Sequence, residues 1–325
     1  MKLSIVSVNY RSWAHLEAAL LELRDDFPTD WEFIVVDNES IAEDLDAFSK
    51  RFPWVTFIAN PENSGFGHGC NIGAAKASGE RLLFMNPDVI ASKEAIQELM
   101  QIQSAQGIGI IAPKQLSATG KNQKVFDDFP GLWNHSKTIK ALIRILLPSR
   151  FPDPRKEYKE LVECDWVSGS VLMIGRADFD AISGWSEDYW MYVEDADLCR
   201  KAQDCGMSVA YTPDVEVIHA HGGSSRLNVD VKAMTKLEVI ISKHVYTSIH
   251  TRGFERWLSH SMIILLRMPM LIVAALVDLI TLRQIPILRV RSRMCTGLLS
   301  YYRGVIRTGS WLSPRARKNK LLSES

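Results

Sequence analysis

Short apolar runs bounded by turn-forming residues recur through the first 112 residues. They predict strands over 3–8, 32–37, 54–59, 81–86 and 108–112, each too short for a helix. Between them, apolar residues repeat at helical spacing over 12–23, 41–51, 68–78 and 92–104. Ser92, followed by Ala95 and Ile96, reads as the N-cap of the last of these helices. Alternating strand and helix implies an α/β fold, a mostly parallel sheet covered by helices. The periodicity is lost over 113–163, where Pro130, Pro148, Pro152 and Pro154 fall; this stretch reads as a variable insertion with one short helix near 136–147. Regular pattern returns over 165–174, with helices near 176–182 and 194–205 and a strand over 215–219. Helical sequence dominates after Asp230. The expected division is an α/β domain over 1–230 and a helical region over 231–325.

Composition narrows the classes. With 46% hydrophobic and 23% charged residues the chain is ordinary globular protein, neither disordered nor collagen-like. Its five cysteines form no CxxC pair and are odd in number, against a disulfide framework or zinc ribbon and for a reducing cytosol. The first apolar run is too short for a signal peptide, so no secretion is implied. A formal net charge of zero conceals a division. From Thr251 onward there are 13 Lys and Arg against 3 Asp and Glu; the preceding 250 residues carry 25 against 35. The basic part is expected to meet something anionic.

Candidate chemistry gathers at the strand ends. Asn86-Pro87-Asp88 closes the run over 81–86, and Pro87 cannot donate to a sheet ladder, so the strand should turn outward there. That places the Asp88 carboxylate in the crevice where open α/β sheets bind ligands, a hard oxygen suited to a divalent ion. Asp37 ends its strand in the same way and can accept a hydrogen bond from a base or a ribose, or simply cap the next helix. Residues 63–73 form a glycine-rich turn opening a helix, but Ile72 stands where GxGxxG needs glycine, so NAD is not expected. Those glycines allow close backbone approach, and the helix N-terminus there can face phosphate. Glu194, Asp195 and Asp197 crowd one helix start, more carboxylates than a cap requires. Trp185, Tyr189, Trp190, Met191 and Tyr192 before them suggest an aromatic wall for a sugar. His219 and His221 follow a strand, and one of them across from Asp88 would complete a nitrogen–oxygen metal site.

Taken together, these stretches resemble the family 2 inverting glycosyltransferases, in particular the rhamnosyltransferase branch. The resemblance is carried by Val8-Asn9-Tyr10, Val36-Asp37-Asn38-Glu39-Ser40, Asn63-Ser64-Gly65-Phe66-Gly67 with Asn71 and Gly73, and Asn86-Pro87-Asp88. It continues through Trp166-Val167-Ser168-Gly169, Gly184-Trp185, Tyr192 to Asp197, and His219 to Ser224. It implies a GT-A fold, a nucleotide-sugar-binding sheet covered by helices, here with a helical, basic C-terminal extension. It further implies Asp195 as catalytic base, and Asn9, Asp37, Asn63, Asn71, Asn86 and Asp88 at the nucleotide sugar. Asp88 and His219 would hold Mg²⁺ or Mn²⁺, and Trp185, Trp190 and Glu194 would face the acceptor. Many relatives carry Asp-x-Asp where this chain has Asn86-Pro87-Asp88, and Phe-Asp-Glu where it has Trp185-Ser186-Glu187. The implied reaction is inverting transfer of a sugar, with rhamnose the candidate, from a nucleoside-diphosphate sugar to a hydroxyl of a lipid-linked or polysaccharide acceptor.

The C-terminal third adds a surface. Residues 257–288 are dense in apolar side chains, interrupted by Arg267, Pro269 and Asp278, with arginines at 283, 289, 291 and 293 and a basic stretch over 315–320. Apolar faces beside cations suit helices lying on an anionic membrane, and the interruptions disfavour a spanning helix. The expectation is peripheral attachment to the cytoplasmic face of the plasma membrane; otherwise the run packs on the core or forms a homodimer interface. Nucleic acid is not an expected partner, since the cations flank aliphatics rather than aromatics. A non-catalytic nucleotide-sugar or carbohydrate-binding module is the alternative, and a membrane scaffold a third. Asp88 and Asp195 together favour the enzyme.

Overall fold

The protein is seen in a computed structural model that describes residues 2–39, 42–148, 150–220 and 229–316. In chain order the first half runs β1 (Leu3–Asn9), α1 (Trp13–Arg24), β2 (Trp31–Asn38), α2 (Ala42–Arg51), β3 (Val55–Asn60), α3 (Phe66–Lys76), β4 (Arg81–Met85), β5 (Val89–Ile90), α4 (Lys93–Gln106) and β6 (Ile110–Leu116). There follow β7 (Phe126–Asp127), a 3-10 turn over Leu132–Asn134, α5 (Lys137–Leu146), β8 (Val162–Glu163), β9 (Trp166–Val167), β10 (Val171–Gly175), α6 (Arg176–Ala181), α7 (Glu194–Asp204) and β11 (Val209–His219). Three long helices close the chain: α8 (Val229–His250), α9 (Gly253–Ile280) and α10 (Pro286–Thr308). Two compact units emerge: Met1–Phe129 with Ile143–Ser186 and Glu194–Gly223, and Pro130–Leu142 with Glu187–Val193 and Ser224–Ser325.

The first unit is built on a nine-stranded sheet of order β3-β2-β1-β4-β10-β6-β11-β5, with β8 paired to β11. The period-2 pattern splits its side chains between two layers. Leu83 and Met85 of β4 and Val171 and Met173 of β10 join Leu16, Leu20, Ile96 and Leu99 on one face. Leu82 and Phe84, with Leu172 and Ile174, join Cys70, Trp185 and Leu198 on the other. Ser92 caps α4 as expected, accepting from the Ala95 amide.

The sheet is parallel only in part. β3, β2, β1 and β4 run parallel, but β10 enters antiparallel between β4 and β6, and β5 and β8 pair antiparallel with β11. The expectation of a mostly parallel sheet holds for its first half, because β10 arrives after the inserted segment rather than by a helical crossover. β11 is also longer than the predicted 215–219. It starts at Val209, and its register shifts between Thr212 and Glu216, around Pro213. A proline breaks the apolar pattern but is accommodated at a bulge, which hid the front of this strand.

In the second unit, α8, α9 and α10 pack on one another through Leu237, Ile241, Ile263, Leu271, Met294 and Leu298. Gly297 of α10 lies against Leu237, where a Cβ would meet the leucine Cδ2 at 2.5 Å. Arg267, Pro269 and Asp278 interrupt the apolar run in the sequence but not the helix. α9 continues through Pro269 for 28 residues and is long and apolar enough to cross a membrane. Asp278, His260 and Ser259 turn inward, whereas Trp257, Leu265, Val273, Leu276 and Ile280 are exposed. This face is the reverse of a water-soluble amphipathic helix.

Candidate active site

Parallel strands end on one rim of the first unit, and the polar residues after each apolar run meet there. Asn9 and Asp37 are register partners at the ends of β1 and β2, and the Asn9 amide donates to Asp37 Oδ1 at 2.8 Å. Asn9 Oδ1 accepts from the Ser12 amide, closing the first turn. Asn60 at the end of β3 donates to Asn38 Oδ1 at 2.8 Å. Asp37 is buried, so its carboxylate is held in place by Asn9 rather than swinging in solvent. Asn63 lies on the segment between β3 and α3 and is half-buried.

The glycines of α3 answer to packing. A Cβ at Gly69 would meet Val8 Cγ1 at 2.8 Å, and Gly73 is pressed against Val6 Cγ1, so these two let the helix lie close on β1. At these two positions the missing side chain serves packing rather than an approach for phosphate. Asn71 differs from its expected role as well. Its Nδ2 donates to the Trp185 carbonyl at 2.9 Å and its Oδ1 accepts from the Trp185 amide at 3.0 Å. The side chain therefore fixes the peptide over 184–186 onto α3 instead of presenting its amide to a nucleotide.

Asn86-Pro87-Asp88 forms the turn between β4 and β5. The Asn86 amide donates to Ser170 O, and the Asp88 carbonyl accepts from the Ala220 amide, tying the turn to the end of β11. Asp88 Oδ1 stands 3.3 Å from His219 Nε2, so these two residues, 131 positions apart in the sequence, share one site. Gln115 of β6 completes the arrangement, with its Oε1 2.8 Å from His219 Nδ1 and accepting from Ser170 Oγ. The hydrogen-bond network thus assigns the imidazole proton to Nδ1, because an amide oxygen only accepts. Nε2 is the ring atom turned to the Asp88 carboxylate, and a ring nitrogen beside a hard oxygen is a donor set that fits a cation. Among the described residues no cluster of three or more His, Cys, Asp or Glu suited to a metal occurs, and diphosphate oxygens or water would serve as further ligands. Sequence reasoning missed Gln115: it lies at 113–163, assigned to the insertion, and a lone glutamine on a strand carries no signal. His221 and Gly222 to Ser224 lie outside the described residues.

Asp195 opens α7. Its Oδ2 accepts from the Gly169 amide at 3.2 Å and its Oδ1 from the Ala196 amide at 2.9 Å. Part of the side chain meets solvent, yet desolvation by the surrounding protein dominates and pushes its pKa up to about 6. The amides of Gly169 and Ala196, and the charge of Lys124, hold it from rising further. The residues entering α7 are strained: Tyr192 and Val193 have φ of 71° and 68°, a conformation a β-branched residue rarely adopts. Strain of this kind persists where surrounding structure over-determines a residue, as at active sites. Asp197 is buried, 4.0 Å from the Lys201 ammonium, and Glu194 is buried too.

The aromatic wall is not an exposed surface. Trp185 and Tyr189 are almost completely buried. Trp185 meets Phe84 and Phe66 edge-on, as core residues do. Trp190 is buried with the Arg315 guanidinium over its ring at 5.5 Å. Trp185 and Trp190 therefore do not present faces for an acceptor, because their apolar surface is spent on packing.

Comparisons with known proteins bear on the family and the fold. Residues 4–148 match the model of glycosyl transferase family 2, and residues 152–221 match a model described as the N-terminal domain of galactosyltransferase. The chain is 31% identical over 224 residues to the low-salt glycan biosynthesis hexosyltransferase Agl10 of Haloferax volcanii, covering 67% of this chain and 66% of that protein. It is 27% identical over 237 residues to the N-acetylglucosaminyl-diphospho-decaprenol L-rhamnosyltransferase of Mycobacterium tuberculosis, covering 67% of this chain and 75% of that one. Among solved structures, the Pyrobaculum calidifontis mannosyltransferase PcManGT, in complex with GDP-Man and Mn²⁺, superposes with a TM-score of 0.53 at 14% identity, covering 99% of this chain and 79% of that one. At that identity the likeness shows the shared GT-A fold.

Proposed function

This chain belongs to glycosyltransferase family 2, and we propose that it transfers a sugar from a nucleoside-diphosphate donor to a hydroxyl of a lipid-linked acceptor with inversion at the anomeric carbon. One observation carries the reading: Asp195 is held by two backbone amides with its pKa raised towards neutrality, while Asp88 and His219 face one another in the same unit. An acceptor hydroxyl is a weak nucleophile. The Asp195 carboxylate takes its proton as the oxygen bonds to the anomeric carbon, and the bond from that carbon to the diphosphate breaks, the electron pair leaving with the diphosphate. A divalent ion between Asp88 and His219 would supply positive charge to the departing diphosphate. Asp37, oriented by Asn9, would accept from the base or ribose, with Asn63 and Asn86 beside the donor; the support is the Asn9–Asp37 hydrogen bond at the strand ends. The carboxylate positions favour turnover over the alternative of a binding module, since binding alone needs no base of raised pKa. Wild-type protein offered a panel of nucleotide sugars, dTDP-rhamnose among them, should release nucleoside diphosphate from at least one when a lipid-linked N-acetylglucosamine acceptor is present. Binding without release would favour the module.

The domain division fits this reading: residues 1–230 carry the transfer site and 231–325 attach it to the cytoplasmic face of the membrane bearing the acceptor. The support is the exposed apolar face of α9 and the arginines of α10 at 289, 291, 293, 303 and 307. The chain is expected to sediment with vesicles containing anionic lipid. Salt should release the electrostatic share, worth about 1 kcal/mol per cation near the surface, and leave an inserted remainder. Recovery of all the protein in the supernatant at low salt would contradict attachment.

A further inference from the structure

The burial of Trp185 and Trp190 leaves the acceptor side of Asp195 without its expected aromatic platform, and the short β7–β9 ribbon provides another. β9 runs Trp166-Val167 and leads directly to Gly169, whose amide holds Asp195. β7 pairs with it antiparallel, Asp127 opposite Trp166, and the Ser168 amide extends the pairing to Val125 O at 2.7 Å. Val167 is fully buried, so the alternation of the strand turns Trp166 to the opposite face, where it is part-exposed. The indole nitrogen donates to Asp128 O at 3.0 Å, which fixes the plane of the ring. Lys124 is half-exposed, lies 6.0 Å from the centre of that ring and is ion-paired with Asp127.

We propose that Trp166, with the Lys124–Asp127 ion pair beside it, is the subsite that seats the acceptor sugar ring against Asp195. This rests on the transferase reading above. Trp166 packs against the core, its part-exposed indole offers the remaining apolar surface to the C–H groups of a pyranose, and the Lys124 ammonium over the ring, with Asp127, offers a donor and an acceptor to the hydroxyls. The pair is itself fixed from the inserted segment. Arg144 of α5 is nearly buried, binds Asp127, and reaches Asp128 Oδ2 at 2.6 Å. The variable insertion thereby sets the geometry of the residues that read the acceptor, while the donor side is built from the strand ends. Lys124 also acts on the base, since its charge is felt at Asp195.

The test compares wild type with Trp166→Ala, Trp166→Phe and Lys124→Met in two measurements. Transfer is followed with a short-chain N-acetylglucosaminyl diphospho-lipid, and sugar binding with methyl N-acetyl-β-glucosaminide by saturation-transfer NMR, which needs no turnover. Trp166→Ala should raise the acceptor KM about tenfold or more, the cost of removing an aromatic anchor. Trp166→Phe should recover most of it, and dTDP or UDP affinity by calorimetry should stay within about twofold of wild type. Lys124→Met should raise the acceptor KM and also move the acid limb of the rate upward in pH. Acceptor KM within about twofold of wild type in both Trp166→Ala and Lys124→Met would overturn the subsite, as would unaltered saturation transfer to the glucosaminide. So would loss of nucleotide and acceptor affinity in equal measure, with a lowered melting temperature in the Phe variant as well, which would mark Trp166 as structural. Failure of the transferase reading has a different signature, no nucleoside diphosphate released by wild type from any nucleotide sugar, and the NMR comparison then still decides whether the ribbon binds a sugar.

Discussion

Replacing Asp195 by Asn is expected to lower turnover by about two to four orders of magnitude, the range for loss of a general base. Asparagine keeps the shape but can accept from only one of the Gly169 and Ala196 amides, which bond to different carboxylate oxygens, so the start of α7 keeps one of its two side-chain hydrogen bonds. Nucleoside diphosphate affinity, measured by calorimetry, should therefore stay near the wild-type value. The same substitution has an expected effect on stability. The folded-state pKa of Asp195 is raised from 3.8 to about 6, so its stabilising contribution is present in full below the unfolded pKa and lost as pH rises through about 6. At neutral pH the enzyme holds a desolvated charge that asparagine lacks. The melting temperature of Asp195→Asn relative to wild type is thus expected to improve as the pH rises through about 6, whatever the fixed cost of the amide hydrogen bond it loses. Wild-type activity in the variant would remove Asp195 from the mechanism.

Asp88→Ala is expected to have the second large effect. Asp88 supplies the hard oxygen opposite His219 Nε2, and without it the imidazole alone faces the cation position. Calorimetry of UDP or dTDP with and without Mn²⁺ should show metal-dependent affinity in wild type and lose most of that dependence in the variant. Gln115→Leu should weaken the same response to a smaller degree. It removes the acceptor that fixes the His219 tautomer and leaves the first ligands in place. An unchanged metal response in Asp88→Ala would mean that any ion binds elsewhere. A His219 placed only for structure would show no metal response in wild type at all.

The two halves of this chain differed in how far their sequence could be read. β1 to β4 and α1 to α4 were legible because each buries one face under local rules: period 2 in the strands, helical spacing in the helices, Ser92 at a cap. The turn at Asp88 was legible for the same reason, since the end of an apolar run marks where a side chain leaves the sheet, whereas Asp195 was singled out by the carboxylates crowding a helix start and by the family resemblance. What depends on partners distant in sequence was not. The place of β10 between β4 and β6 is set by pairings across the insertion. The two hydrogen bonds that commit Asn71 to the Trp185 peptide span 114 residues. Trp185 and Trp190 read as a wall because an aromatic cluster has the same composition exposed or buried, and only packing separates the two. Arg144 gave no sign of its role, for its partners Asp127 and Asp128 look like ordinary surface acids until α5 folds over them. Asp278 reads as an interruption of an apolar run until the helix turns it inward.

The central claim is that a carboxylate of raised pKa removes the acceptor proton, and the pH dependence of kcat/KM for the acceptor tests it most directly, because that ratio reports groups of the free enzyme. Below pH 6 Asp195 is protonated and cannot act as a base. The account predicts that kcat/KM rises about tenfold per pH unit on the acid side, bends near pH 6 and then levels. The residual rate of Asp195→Asn should lack that bend. A wild-type profile flat from pH 5 to pH 7, or a bend near pH 6 that survives in Asp195→Asn, would contradict it.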